Sequence, residues 1–300
     1  MLIEIGRRDD GSCAFRLLTD PIFDRGTETY PFFPFPLSLI FKATRSSGPE
    51  LPDSELPPHK PLDAILLSHA HHGDNLDRAG KQLLPHARAV ITSAKGYRHL
   101  RPKLRATGLK PWSSTTLFGR DGAALRITAT PAHHRPRWLP ELGHQVIGFL
   151  LEWDAVPGAL DAPANGAIYI SGDTVYFGGI KELGERSQRA HEGKPSQPAR
   201  HWWRPWKEIP RRDMKIGTAL LHLGAVRFLV PGLHYTFTAG EAARTARETG
   251  AKTVIPIHYE DKVWDHFKQT RDDYIGAFKD AGTPELTWLH PRGKPVDIEV

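Results

Sequence analysis

The chain is 300 residues long, 39% hydrophobic and 25% charged, enough to bury a sizeable core in one large domain or two ordinary ones. It has no apolar run near the roughly 20 residues of a membrane span and no N-terminal secretory pattern, so a cytoplasmic protein with no transmembrane segment is expected. Forty Lys and Arg against 34 Asp and Glu give a mild, dispersed net charge of +6, and the single cysteine, Cys13, excludes an intramolecular disulfide or a thiolate-rich metal site.

"MLIEIGRR" and "CAFRLLTDPIF" read as two strands around the turn "DDGS", a hairpin. Residues 26–60, rich in proline and aromatics, read as an irregular loop. "DAILLSH" is a continuous apolar run of strand length, as for a strand buried on both faces. "DNLDRAGKQLLPH" has helical spacing and "ARAVITS" is the next strand. Further on, "ALRITATPAHH", "QVIGFLLEW" and "GAIYISGD" each carry a strand, with the loop "DAVPGALDAPANG" between the last two. "ALLHLGA" and "VRFLVPG" are strand-like, "TAGEAARTARETG" is a capped helix closed by Gly250, and "AKTVIPIHY" is a strand ending at His258. The C-terminal "ELTWLHPRGKPVDIEV" reads as a hairpin. No repeat or domain boundary stands out, although the β-rich halves on either side of about residue 160 look alike in organisation. Residues 1–300 are therefore expected to form one domain. Residues 184–213 are basic and hold Trp202, Trp203 and Trp206 within five positions, so they read as a surface insertion. This insertion is either packed back on the body or forms a lid for an anionic or amphiphilic substrate.

Four strand ends each deliver histidine or aspartate: His69, His71, His72 and Asp74; His133 and His134; Asp173; and His258. A rigid scaffold assembles a site from distant pieces of chain in this way. Imidazole and carboxylate without thiolate suit Zn²⁺ first, with Mn²⁺ or Fe as alternatives. A lone histidine is usually an ordinary hydrogen-bonded residue; a set recurring at four strand ends is better explained by a metal.

The motifs "LLTDPIF", "LLSHAHHGDNLD", "TPAHH", "IGFLLE", "YISGDTVYF" and "GAKTVIPIHY" together resemble the metallo-β-lactamase superfamily of hydrolases over nearly the whole chain. Within it the chain is most similar to the branch of ascorbate-6-phosphate lactonase and N-acyl-phosphatidylethanolamine phospholipase D. The resemblance implies an α/β (α+β) fold: a four-layer αββα sandwich, two sheets back to back with helices outside and the metals at one edge. It places the His-x-His pair on His69 and His71 and the third ligand of the first metal on His134 rather than His133. The aspartate bridging two metals falls on Asp173, and a ligand of the second on His258. The family pattern His-x-His-x-Asp-His is here His-Ala-His-His-Gly-Asp-Asn, with one extra residue and Asn75 at the position of a second-metal histidine. Asp74 remains the carboxylate of the pair. Either His72 replaces the missing ligand or Asp74, Asp173 and His258 hold the second ion, so one or two ions are both open.

A bound divalent metal lowers the pKa of water from 15.7 towards about 7. The expected chemistry is hydrolysis by a metal-bound hydroxide, with Asp74 as the catalytic residue that orients the water or shuttles its proton. The substrate is expected to be a small, anionic molecule, phosphodiester or phospholipid-like, or a lactone or other ester. Nucleic acid is not expected, and a homo-oligomer is compatible with the sequence. His222 and His234, near strand ends, are candidates for metal, substrate or supporting contacts. Asn75, His72 and His133 share that status, His144 is a weaker candidate, and Asp77 is either a helix-start residue or a supporting acceptor. Two other functions compete. A di-iron oxidoreductase of the same fold is expected to have glutamate where His71 stands, and a degenerate binding protein is favoured by Asn75 alone.

Overall fold

The computed structural model describes residues 1–7, 12–23, 26–31, 40–45, 53–70, 75–100, 104, 106–119, 122–134, 146–154, 166–193, 213–225, 234–258, 269–284, 286–288 and 296–298. β1 (Leu2–Arg7) and β2 (Cys13–Thr19) pair antiparallel, with Ile5 opposite Phe15, as the opening hairpin predicts. β3 (Gly26–Pro31) and β4 (Ile40–Arg45) form a separate antiparallel ribbon where the sequence reads as loop. The β-branched and aromatic residues Thr27, Thr29, Tyr30, Ile40, Phe41 and Thr44 favour strands, and the prolines around them obscure that preference in the sequence.

β5 (Leu62–Leu67), α1 (Arg78–Leu83), β6 (Ala87–Ser93), α2 (Ala94–Leu100) and β7 (Ala106–Leu109) follow. Strands β2, β5, β6 and β7 run parallel, and with β1 they make a five-stranded sheet in the order β1-β2-β5-β6-β7. The second sheet contains β8 (Ser114–Phe118), β9 (Ala124–Pro131), β10 (Ile147–Asp154), β11 (Ala167–Ile170), β12 (Ile216–His222) and β13 (Thr253–Ile257). Its order is β13-β12-β11-β10-β9-β8, antiparallel from β8 to β11 and parallel from β11 to β13. The chain therefore changes sheets between β7 and β8, near residue 110, since β8 to β10 already pair within the second sheet.

Side chains alternate across a strand, so each sheet feeds two apolar layers. Phe15, Leu17, Ala64, Leu66, Phe149, Leu151, Ile170 and Leu220 meet between the sheets. Leu18, Ile65 and Leu67 turn to the other face of the first sheet, where Leu76 and Leu84, at either end of α1, pack. Leu150, Tyr169, Ala219 and Leu221 turn to the other face of the second, beneath α3 (Gly178–His191), α4 (Ala239–Thr249) and α5 (Arg271–Asp280). The result is the four-layer αββα arrangement. Phe15 and Phe149 are fully buried, each contributing about 1.5–3 kcal/mol by leaving water.

Residues 184–193 differ from the expected surface insertion. Residues 184–191 continue α3, and Leu183, Gly184, Arg186 and Ser187 are buried against the core. Charged residues between these positions hid the helical face in the sequence. Residues 194–212, including the tryptophans, lie outside the described residues, as do all of "VRFLVPG" and most of the C-terminal hairpin. From the last, Leu286 forms a parallel bridge to Val254. Among the described residues no helix is long and apolar enough to cross a membrane.

Candidate metal centre

The antiparallel run from β9 through β10 to β11, followed by parallel β12 and β13, points β9, β11, β12 and β13 towards one edge of the second sheet. The end of β5 reaches that edge from the first sheet, where the Ile147 N–H donates to the Ser68 carbonyl at 3.1 Å. Gly172, in the left-handed region with φ 60°, permits this approach, since a Cβ there would stand 2.9 Å from the Ser68 Cβ.

Three candidate residues converge at this edge. His69, His134 and Asp173 place one ligand atom each within 4.8 Å of one another. His69 and Asp173 are fully buried, and the two imidazole rings stand 5.3 Å apart. The loop of His134 is tied to that of Asp173 by two bonds. The His133 N–H donates to Thr174 Oγ1 at 2.9 Å, and the Val175 N–H donates to the His133 carbonyl at 3.0 Å.

Hydrogen bonds determine which ring nitrogen each histidine presents. His134 Nδ1 is 2.9 Å from the Tyr235 carbonyl, which only accepts, so Nδ1 carries the hydrogen and Nε2 keeps its lone pair. His69 Nδ1 is 3.0 Å from Ser68 Oγ, whose own proton goes to Asp20 Oδ1 at 3.0 Å. His69 Nδ1 is therefore the donor, and again Nε2 is the atom left to face the cluster. Two imidazoles oriented by partners on their far sides, together with a buried carboxylate, fit a divalent ion such as Zn²⁺, Mn²⁺ or Fe²⁺.

The remaining candidates divide. His258, with φ 56° after β13, donates from Nδ1 to the Leu223 carbonyl at 3.3 Å. His222, at the end of β12, lies with its ring 5.9 Å from that of His258. Its Nε2 is 3.4 Å from Asp20 Oδ2 and its Nδ1 3.3 Å from Ser171 Oγ. Neither belongs to the three-residue cluster. The His133 ring lies against Phe177, at 5.5 Å, while His134 enters the cluster. His234 Nε2 donates to Glu241 Oε2 at 2.8 Å, and the same carboxylate oxygen accepts from the Thr238 N–H in the capping box of α4. Asp77 is the N-cap of α1, accepting from the Gly80 N–H at 2.7 Å. His71, His72, Asp74 and His144 lie outside the described residues.

The structure adds residues that the sequence reading did not single out: Asp20, Ser68, Thr174 and Tyr235. Asp20 carries the only local signal. It sits in "LLTDPIF" with φ 41°, a left-handed conformation that aspartate tolerates better than most residues.

Solved structures share the fold. A metallo hydrolase, Igni18, from the archaeon Ignicoccus hospitalis is 17% identical with a TM-score of 0.56, covering 90% of this chain and 94% of its own. An isothiocyanate hydrolase from Delia radicum gut bacteria is 17% identical with a TM-score of 0.60, covering 94% and 92%. CmlA, a diiron β-hydroxylase from Streptomyces venezuelae, is 12% identical with a TM-score of 0.53, covering 95% of this chain and 51% of its own. At these identities the likeness is one of fold. The model of the beta-lactamase superfamily domain matches residues 15–192, more than half of the chain, and the protein belongs to that superfamily.

Proposed function

We propose that the protein is a metal-dependent hydrolase in which His69, His134 and Asp173 hold an ion, His71 and His258 extend the ligand set and Asp74 handles the proton. The observation that carries this reading is the convergence of the three ligand atoms from three strand ends, with both imidazoles turned by hydrogen bonds to present Nε2. When bound, such an ion supplies an acidified water and a Lewis acid. The protein's own residues do the rest. Ser68 and the Tyr235 carbonyl fix the rings and raise their basicity. Asp173 adds a buried negative charge that favours a cation over an empty site. Asp74 accepts the proton of the attacking water and returns it to the leaving group.

The substrate proposed is a small anionic molecule, phosphodiester or phospholipid-like, or else a lactone or carboxylic ester. The likeness of the motifs to the lactonase and phospholipase D branch supports these two bond classes, and the mild positive charge leans towards phosphate. The test is turnover of bis-p-nitrophenyl phosphate and of a simple lactone before and after chelation. Chelator-sensitive turnover of one of them is expected and names the bond class. Inert protein after addition of zinc, manganese or iron overturns the proposal, as does bound iron with redox activity and no hydrolysis.

A further inference from the structure

We propose that Asn75 positions the metal site without ligating it: with Asp20 it holds the Ser68 hydroxyl, and through that hydroxyl it fixes the His69 ring in the tautomer that presents Nε2. This inference rests on the metal-hydrolase reading and explains the departure of the first motif, where Asn75 stands in place of an expected ligand.

Ser68 Oγ is the meeting point. Asn75 Nδ2 donates to it at 3.1 Å, it donates to Asp20 Oδ1 at 3.0 Å, and His69 Nδ1 lies at 3.0 Å. The Ser68 backbone N–H also donates to Asp20 Oδ1, at 2.9 Å, so one carboxylate oxygen grips both donors of the serine. A hydroxyl has one proton and two lone pairs. A carboxylate can only accept and an amide nitrogen can only donate. With the proton committed to Asp20 and one lone pair to Asn75, the surface left to His69 Nδ1 is an acceptor, and the ring must bring the hydrogen.

Burial makes this arrangement strict. Ser68 and His69 are 0% exposed, Asn75 1% and Asp20 9%, and a mismatched donor or acceptor there loses its full solvation. The amide nitrogen has no lone pair to offer a metal and is committed to Ser68, so ligation by Asn75 would fall to Oδ1, which the zinc stoichiometry of Asn75→Ala tests. Asp20 extends the network across the molecule: its Oδ2 faces His222 Nε2 at 3.4 Å, joining the end of β2 to the end of β12 in the other sheet.

Asn75→Asp tests the proposal with minimal change of shape, since it exchanges the amide donor for an acceptor; Asn75→Ala and Ser68→Ala accompany it. The first readout is the His69 tautomer in zinc-free, ¹⁵N-labelled protein, from long-range correlations of the imidazole nitrogens. The second is zinc affinity by competition with a chromophoric chelator. The expected result is a wild-type Nδ1–H tautomer, lost or mixed in all three variants. Their zinc affinity should fall 10–100-fold at unchanged stoichiometry. A variant that lowers the melting temperature but leaves tautomer and affinity unchanged would show a merely structural role and overturn the inference. Loss of one zinc equivalent in Asn75→Ala with an unchanged His69 signal would make Asn75 a ligand and overturn it equally. Wild-type protein that binds no zinc would sink the metal-hydrolase reading, and the tautomer measurement would still decide this one.

Discussion

Gly172→Ala probes the close approach on which the site depends. The residue joins Ser171 to Asp173 with φ 60°, and an L side chain in that region costs about 1–2 kcal/mol. The added Cβ would also stand 2.6 Å from the Ile147 carbonyl oxygen and 2.9 Å from the Ser68 Cβ. Both neighbours are held in place, because the Ile147 N–H donates to the Ser68 carbonyl. Relief requires the end of β5 to part from β10 and β11, and forced packing of this kind costs about 1–3 kcal/mol. The expected total is about 2–5 kcal/mol, a large share of the roughly 5–15 kcal/mol that holds a typical protein folded. Urea unfolding measures it, with Gly178→Ala as the control: nothing lies within 4 Å of a Cβ there, and its stability should stay within about 0.5 kcal/mol of wild type. Because His69 and Asp173 flank the contact, Gly172→Ala should also bind zinc more weakly. A Gly172→Ala protein as stable as the control would refute the reasoning.

Four further substitutions test other parts of the structure. Asp213 accepts from Arg189 Nε at 2.9 Å and faces Arg186 Nε at 3.4 Å, and the Arg186 guanidinium is buried against the Trp112 ring. Asp213→Ala should therefore cost about 3–5 kcal/mol in thermal unfolding, and a loss below 1 kcal/mol would contradict that view of the α3 helix. Thr238→Ala removes the capping box of α4 and should cost about 1 kcal/mol, while a larger loss in Glu241→Ala would reflect the added His234 contact. The hydrogen bond from Lys60 holds the Glu55 carboxyl below its ordinary value. That pair stabilises the fold above the ordinary carboxylate pKa and is lost as pH falls through the lowered one. Lys60→Met should move the Glu55 titration upward in an NMR pH series.

Strands with apolar runs were readable because burial on both faces leaves continuous hydrophobic stretches, as in β5, β10 and β12. Elements that bury little were not. The edge strand β8 buries none of its five residues, and α5 buries only Tyr274 and Phe278, four positions apart. Their sequences carry no stripe wide enough to announce them. At the site, His69, His134 and Asp173 stood out because each follows such a run; of the two adjacent histidines, the His133 ring turns to Phe177 while His134 enters the cluster. Asp20 and Ser68 were not singled out for a different reason. A single polar residue that acts by hydrogen bonding to another ligand has no spacing of its own, and its role emerges only when the chain brings residues 20, 68, 75 and 222 together.

Metal uptake tests the central claim most directly. Chelator-stripped wild-type protein and His134→Ala would be incubated with zinc, manganese or iron, freed of unbound ion by gel filtration and assayed for metal per chain, with near-UV circular dichroism to confirm folding. Wild type should retain at least one equivalent of an ion that folded His134→Ala fails to hold. Wild type that retains none of the three metals, or a variant that retains as much as wild type, would contradict a metal centre built on His69, His134 and Asp173.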